Sequence, residues 1–134
     1  RTSVAAFNEL ARKLPDGYEA VKVPVAEEIL HLYTVLNLLP GNLVAIYPPG
    51  LVDGLPESLC GSNLIKIDEF EMRTLAANVL AISNTTVISQ ERHSRINKIM
   101  ADQGLVVLSI TMNEITKLGG GPRCSVLPIH RDDG

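Results

Sequence analysis

The sequence predicts an α/β fold built from two copies of a small unit, in which strand, strand, helix and strand follow one another. Three observations support this prediction. Two apolar hairpins carry a turn signal at their centre, a helical segment follows each hairpin, and an apolar strand follows each helix. Equivalent positions of the two copies lie roughly 42–46 residues apart, a period typical of modular folds. The length of 134 residues indicates one domain.

The first unit is preceded by a helix and a strand. Apolar residues three or four apart predict a helix over Thr2–Leu14, capped by Thr2 or Ser3 and ended by Pro15-Asp16-Gly17. Alternating valines predict a strand over Glu19–Val25. The unit itself is predicted to contain two strands joined by Pro40-Gly41-Asn42, a short helix and a further strand: Leu32–Leu38, Leu43–Tyr47, Leu55–Leu59 and Leu64–Ile67.

The second unit repeats this order. A tight turn at Asn84-Thr85 joins two strands, and Gly104 ends the helix that follows. We expect the last strand to be buried. The predicted elements are Val79–Ser83, Thr86–Ser89, Arg92–Gln103 and Leu105–Ile110. A short helix over Met112–Lys117 comes next, and Cys124–Ile129 is predicted to be the first strand of a third unit.

Composition limits the possible functions. The net charge is −3 and no long basic tract is present, which disfavours a nucleic-acid surface. No apolar stretch approaches the roughly 20 residues of a membrane span, and no secretory signal is recognisable. The two cysteines favour a reducing compartment over a disulfide framework, so we expect a cytoplasmic protein. No metal-ligand spacing or nucleotide-binding loop is present, and we expect neither a metal site nor a cofactor.

The segment Leu118–Pro128 carries the main chemical signal, because three glycines and a proline lead to a single cysteine, Cys124. A glycine run allows the backbone to approach a ligand closely. With Arg123 beside it and His31 far upstream, Cys124 has the setting of an activated thiolate. The alternative is a glycine-rich turn before a core strand, with Cys124 as a small buried side chain.

The other polar residues have simpler interpretations. His31 follows two glutamates and is suited to proton transfer, although a surface loop histidine has the same local sequence. His93 and His130 are predicted to be solvated, and Cys60 is predicted to be structural. Asn78 is predicted to cap nearby backbone groups.

Four motifs occur together in order: Arg1-Thr2-Ser3, Leu30-His31-Leu32, Ala76-Ala77-Asn78 and Gly119-Gly120-Gly121-Pro122-Arg123-Cys124. In sequence and spacing they resemble the C-terminal half of dimethylarginine dimethylaminohydrolase, a family of the guanidine-modifying (pentein) superfamily. The resemblance implies that residues 1–134 are the C-terminal portion of one domain. It also implies a partial five-bladed α/β propeller of strand–strand–helix–strand units.

The resemblance also implies site roles. Cys124 would be the nucleophile that attacks the guanidinium carbon, and His31 would protonate the leaving amine and then activate water. Arg1 would hold the substrate carboxylate, and the backbone carbonyl near Leu118 would help to hold the substrate amino group. Dimethylarginine would give citrulline and dimethylamine through a covalent thiouronium intermediate. Tyr33 stands where deiminases usually carry an aspartate, which argues against deimination.

The family's acidic residues that bind the guanidinium precede the Arg-Thr-Ser motif. The partners implied are therefore a small guanidino substrate and either an N-terminal half or a second copy that covers exposed strand edges. Two alternatives to the hydrolase remain: a non-catalytic propeller-fold interaction module, and an amidinotransferase-like enzyme that passes the amidino group to a second amine.

Overall fold

Residues 2–129, which a computed structural model describes, fold into two three-stranded sheets and four α-helices. Arg1 and His130, both considered in the sequence analysis, lie outside the described residues. The elements in chain order are α1 (Val4–Lys13), β1 (Leu36–Leu39), β2 (Leu43–Ile46), β3 (Asn63–Lys66), α2 (Glu69–Arg73), β4 (Leu80–Ala81), β5 (Thr86–Gln90), α3 (Ser94–Asp102), β6 (Val106–Ile110) and α4 (Asn113–Lys117).

Helix α1 begins where its sequence predicts. The side chain of Ser3 accepts a hydrogen bond from the backbone N–H of Ala6 at 3.1 Å, which satisfies one of the free donors of the first turn. None of the helix residues is buried, and Val4 and Leu10 are 63% and 56% exposed. The apolar face of α1 therefore has no cover within residues 2–129.

The two sheets have the same topology. In each, the first two strands are antiparallel and the third is parallel to the second, giving the orders β1-β2-β3 and β4-β5-β6. A short 3₁₀ helix, Glu57–Leu59, lies between β2 and β3, and α3 lies between β5 and β6. Asn63 and Val106, which begin β3 and β6, are 43 residues apart. The prediction of a mixed α/β fold with a repeated strand–strand–helix–strand unit is confirmed.

Both units contribute to one apolar core. The face of the first sheet that carries Leu43 and Ile65 packs against Val87 of β5 and against Ile96 and Met100 of α3. The opposite face of the first sheet is covered by its own chain, in a second cluster of buried residues: Ile29, Val35, Leu36, Val44, Ile46 and Leu51. The central strand β2 is thus buried on both faces, whereas Leu38 of β1 and Leu64 of β3 are 59% and 39% exposed.

The second sheet is covered on one face only. Val106, Leu108 and Ile110 of β6 are 54%, 45% and 38% exposed, so the prediction that this strand is buried is wrong. Apolar alternation predicts correctly that one side of the strand suits a core. It does not determine whether another element of the chain covers that side.

The covered and open faces are related by the 43-residue repeat. Leu39, Ile65 and Ile67 of the first unit, which face the second unit, correspond to Ile82, Leu108 and Ile110. All three of these equivalents are at least 38% exposed. The open face of the second sheet is therefore equivalent to the face of the first sheet on which the second unit packs.

Two predicted strands are absent. In Glu19–Val25 only Val25 makes a β-bridge, with Leu51, because Pro24 lacks an N–H and no longer strand lies alongside. In Cys124–Ile129 the chain forms a turn and then an irregular segment, in which Ile129 is 96% exposed. Within the described part of the chain no strand lies beside this segment to pair with it.

None of the helices in residues 2–129 combines the length and apolar composition that crossing a membrane requires.

Candidate functional site

The glycine run after α4 forms a loop in which each glycine has a separate physical reason. Gly119 has a φ of +80°, a left-handed conformation that ends the helix. A Cβ on Gly120 would lie 2.9 Å from the Ile115 side chain. A Cβ on Gly121 would lie 2.6 Å from the side-chain oxygen of Asn78. The run therefore allows the loop to pass directly over Asn78.

Asn78 fixes the position of Cys124. Its side-chain oxygen accepts hydrogen bonds from the backbone N–H groups of Arg123 at 3.0 Å and Cys124 at 3.3 Å. Its side-chain Nδ2 donates to the Cys124 Sγ at 2.9 Å. Asn78 itself is 1% exposed, whereas Cys124 is exposed. One buried carboxamide thus holds both the backbone and the sulfur of an accessible cysteine.

The turn that carries Cys124 also closes on itself. Ser125 donates from its hydroxyl to the Gly121 carbonyl at 2.8 Å and from its N–H to the same oxygen at 3.1 Å. These bonds hold the two ends of a five-residue turn together, with Cys124 between them. The prediction of a shaped loop that presents the cysteine agrees with this geometry, and the alternative of a buried cysteine before a core strand does not.

Arg123 connects this turn to the segment that carries His31. Its guanidinium lies over the Tyr33 ring, 5.0 Å from the ring centroid, which is a cation–π contact. The hydroxyl of Thr34 donates to the His31 carbonyl at 2.7 Å, at the start of the 3₁₀ helix Leu32–Thr34. This 3₁₀ helix explains why β1 begins at Leu36 and not at the predicted Leu32. His31 is exposed, two residues from the ring that Arg123 contacts.

The two other predicted site residues are less informative. Leu118 caps the C-terminal end of α4, and its side chain is 91% exposed. Arg1 lies outside the described residues. The structure thus brings together the segments of Cys124 and His31. Asn78 and Tyr33 also belong to this arrangement, through their contacts with Cys124 and Arg123. Neither residue is among the predicted site residues. Asn78 was recognisable because it ends a motif in register with the other three.

His93, predicted to be solvated, is 4% exposed. Its Nε2 lies 3.1 Å from the Thr74 hydroxyl. Burial lowers the pKa of His93, and the positive charge of Arg92 lowers it further. The hydrogen bond from Arg95, which is opposed by burial, lowers the pKa of the nearby Glu71 carboxyl. These groups form no hydrogen bond or ion pair with Cys124 among the contacts of residues 2–129.

Cys60 provides an internal comparison for Cys124. It is also free and exposed, but its sulfur has only a long contact, 3.9 Å, with the Pro56 carbonyl.

In residues 2–129 no three His, Cys, Asp or Glu side chains come together as a metal site requires.

Comparison with known proteins identifies the family. The family model for arginine deiminase matches residues 59–131, more than half of the chain. The uncharacterized protein YkgA of Bacillus subtilis (strain 168) is 32% identical over an alignment 134 residues long, which covers 99% of this chain and 46% of YkgA. The chain therefore belongs to the arginine deiminase family and, with it, to the guanidine-modifying superfamily of hydrolases and amidinotransferases.

Solved structures agree with this assignment. Dimethylarginine dimethylaminohydrolase from Pseudomonas aeruginosa, as a cysteine-to-serine variant complexed with citrulline, matches with a TM-score of 0.75 and 25% identity, over 92% of this chain and 46% of that one. The amidinotransferase SxtG from Microseira wollei matches in fold with a TM-score of 0.81 and 20% identity, over 98% of this chain and 42% of that one. The chain thus spans less than half the length of these proteins and of YkgA.

Proposed function

We propose that the chain is the C-terminal portion of a cysteine hydrolase that converts dimethylarginine to citrulline and dimethylamine. The observation that carries the proposal is the set of hydrogen bonds between the Asn78 side chain and Cys124. The hydrogen bond from the Asn78 amide fixes the position of the sulfur, and exposure leaves that sulfur open to a substrate. No cofactor or metal is needed for this chemistry.

The proposed reaction has two steps. The Cys124 thiolate attacks the guanidinium carbon and forms a C–S bond; the C–N bond to dimethylamine then breaks, and His31 supplies the proton that the amine takes with it. In the second step His31 removes a proton from water, and the oxygen attacks the same carbon. The C–S bond breaks, which releases citrulline and regenerates the thiolate. Water is the only co-reactant.

The remaining binding roles follow the family resemblance. Arg1 is proposed to bind the substrate carboxylate through its two parallel N–H donors. Leu118 is proposed to act through its main-chain carbonyl, because its side chain projects almost entirely into solvent. The Leu118 carbonyl immediately precedes the Gly119–Gly121 loop that leads to Cys124.

Tyr33 supports a methylated substrate over arginine itself. An unsubstituted guanidinium has N–H donors on both terminal nitrogens and is best held by carboxylates. A dimethylated nitrogen has no N–H donor, so it needs no carboxylate and tolerates an aromatic neighbour. The Tyr33 ring, 45% exposed and already in contact with the Arg123 guanidinium, is such a neighbour.

We further propose that residues 1–134 form part of a five-bladed propeller. The support is the equivalence of faces: the open side of the second sheet corresponds to the side of the first sheet on which the second unit packs. The side bearing Leu108 and Ile110 is then the place of a third unit, and α1 needs cover from elsewhere. An N-terminal half, or a second copy of the chain, would supply these surfaces. Free thiols at Cys60 and Cys124 suit a reducing cytoplasm.

Leu108→Lys tests whether a second copy provides this cover. In the isolated chain we expect association that depends on concentration in light scattering, and we expect the lysine to weaken it because it would bury a charge. A folded chain that stays monomeric at high concentration would contradict self-association and leave the N-terminal half as the partner.

The activity test uses the chain joined to the N-terminal half of its own protein. Cys124→Ser should abolish citrulline formation from dimethylarginine, whereas Cys60→Ser should retain it. Release of dimethylamine, compared with ammonia from arginine, identifies the preferred substrate. Replacement of water by an added amine would instead indicate amidino transfer.

A second test needs only the isolated chain. An alkylating reagent that carries an amidine should label Cys124 faster than Cys60, because the cysteine held by Asn78 is poised to attack such a group. Equal and slow labelling of the two cysteines would favour the non-catalytic interaction module.

A further inference from the structure

Asn37 is a buried polar residue in an otherwise apolar strand. It lies in β1 and is 4% exposed. Its side-chain Nδ2 donates to two backbone carbonyls of the second unit, Ala77 at 2.8 Å and Val79 at 2.7 Å. Both hydrogens of the amide are thus used to join the first unit to the segment that precedes β4.

The two carbonyls flank Asn78, the residue that holds Cys124. Residues 77–79 are not part of a strand, so no strand pairing stabilises them. Hydrogen bonds from Asn37 take this role. The segment follows Leu75, which has a φ of +67°, a conformation that costs energy for a leucine. β4 begins only at Leu80 and has two residues. Without Asn37, the Ala77 and Val79 carbonyls would lose a donor in a buried site.

The repeat shows that the strand itself does not require a polar residue here. Leu80, which is 43 residues after Asn37, is the equivalent residue of the second unit, and it is apolar and 8% exposed. The amide at position 37 is therefore explained by the bonds that it makes across the two units, and these bonds converge on the peptide groups beside Asn78.

We propose that Asn37 is a positioning residue of the Cys124 site. It fixes the main chain on either side of Asn78, and so aims the Asn78 carboxamide at the Cys124 sulfur. This inference rests on the proposed function, in which that sulfur is the nucleophile. It adds a link from the unit that carries His31 to the loop that carries Cys124.

The test measures alkylation of Cys124 relative to Cys60 in the same chain, by quantifying both peptides after brief labelling with iodoacetamide at pH 7. Asn78→Ala should lower the Cys124/Cys60 ratio about five- to tenfold, through loss of a donor to the thiolate. Asn37→Leu should produce most of that fall. Asn37→Ser, which keeps one donor, should give an intermediate ratio. The double variant of Asn37→Leu and Asn78→Ala should match Asn78→Ala alone, because both changes act on one link.

Two results would overturn the inference in distinguishable ways. If Asn78→Ala lowers the ratio and Asn37→Leu does not, or if the two effects add, Asn37 has no positioning role and the proposed nucleophile stands. If Asn78→Ala leaves the ratio unchanged, the arrangement of the nucleophile itself is wrong as well. Asn97→Leu is the matched control: it removes a carboxamide that donates to the Gln90 carbonyl at 3.0 Å, and should leave the ratio unchanged. General unfolding is recognised separately, by loss of the circular-dichroism signal, because Cys60 is exposed in the folded chain as well.

Discussion

The two sheets share strand order and pairing, but their surroundings differ. The central strand of the first is buried on both faces, between the second unit and other segments of its own unit. The second is buried on the side that faces the first unit and open on the other, where Leu108 is 45% exposed. Local sequence therefore suffices to form a unit, whereas its burial depends on which units stand on either side of it.

The connecting helices show the same contrast. In the first unit the connection between the second and third strands includes two 3₁₀ helices, Pro48–Gly50 and Glu57–Leu59, in which only Gly50 is buried. In the second it is α3, where Ile96 and Met100 are fully buried in the shared core. The second unit thus contributes more to the shared core through its helix, although its sheet is the less covered of the two.

The largest expected effect comes from equivalent residues of the two third strands. Ile65 of β3 is 2% exposed, and Leu108 is its counterpart in β6. Ile65→Ala should lower the free energy of unfolding by about 2–5 kcal/mol, because it leaves a cavity in the core. Leu108→Ala should cost less than about 1 kcal/mol, because that side chain is half in water. Urea denaturation of both variants measures the difference, and equal losses would show that the open face is covered in solution.

A smaller effect is expected where the two units differ at one buried position. Val35 and Asn78 are 43 residues apart, and they are 0% and 1% exposed. Asn78→Val, which copies the first unit into the second, should cost about 1–3 kcal/mol because Arg123 and Cys124 lose their acceptor. Hydrogen exchange at these two amides should accelerate.

The reciprocal change, Val35→Asn, is the control for that experiment. It would bury a carboxamide in an apolar cluster, so it should also destabilise the chain, but without faster exchange in the Cys124 turn. Fast exchange in both variants would mean that the turn responds to loss of stability in general and not to Asn78.

The smallest expected effect concerns His93, which precedes α3 and has no histidine counterpart in the first unit. Its pKa is lowered in the folded chain by burial and by Arg92, so the unfolded chain takes up the proton first as the pH falls. The contribution of neutral His93 to the free energy of unfolding is complete above about pH 6.5, the ordinary histidine pKa. It is lost as the pH falls below that value. The slope is at most about 1.4 kcal/mol per pH unit.

His93→Gln should reduce the pH dependence of the free energy of unfolding between about pH 6.5 and 5, as measured by urea denaturation at each pH. The Glu71 carboxyl, whose pKa is lowered by Arg95, acts in a separate window below its ordinary 4.5. An unchanged slope in the variant would show that His93 is hydrated in the folded chain.

Elements with local sequence signals were predictable from the sequence. Ser3 caps α1, Gly41 turns the first hairpin with a φ of +75°, and the spacing of Ile96 and Met100 gives α3 its buried face. The hairpins, α3 and the segment around Cys124 were predictable because turn chemistry and apolar periodicity act over a few residues.

The burial of side chains and the contacts of polar residues could not be predicted, because they depend on how the two units pack. Alternating valines near Val25 predicted a strand that lacks a partner, and His93 was predicted to be exposed but is buried. The hydrogen bonds of Asn78 to Cys124 span 46 residues, and those of Asn37 span 40 and 42. Such contacts depend on how the two units pack, which no local pattern encodes, because burial and hydrogen-bond partners belong to the assembled fold.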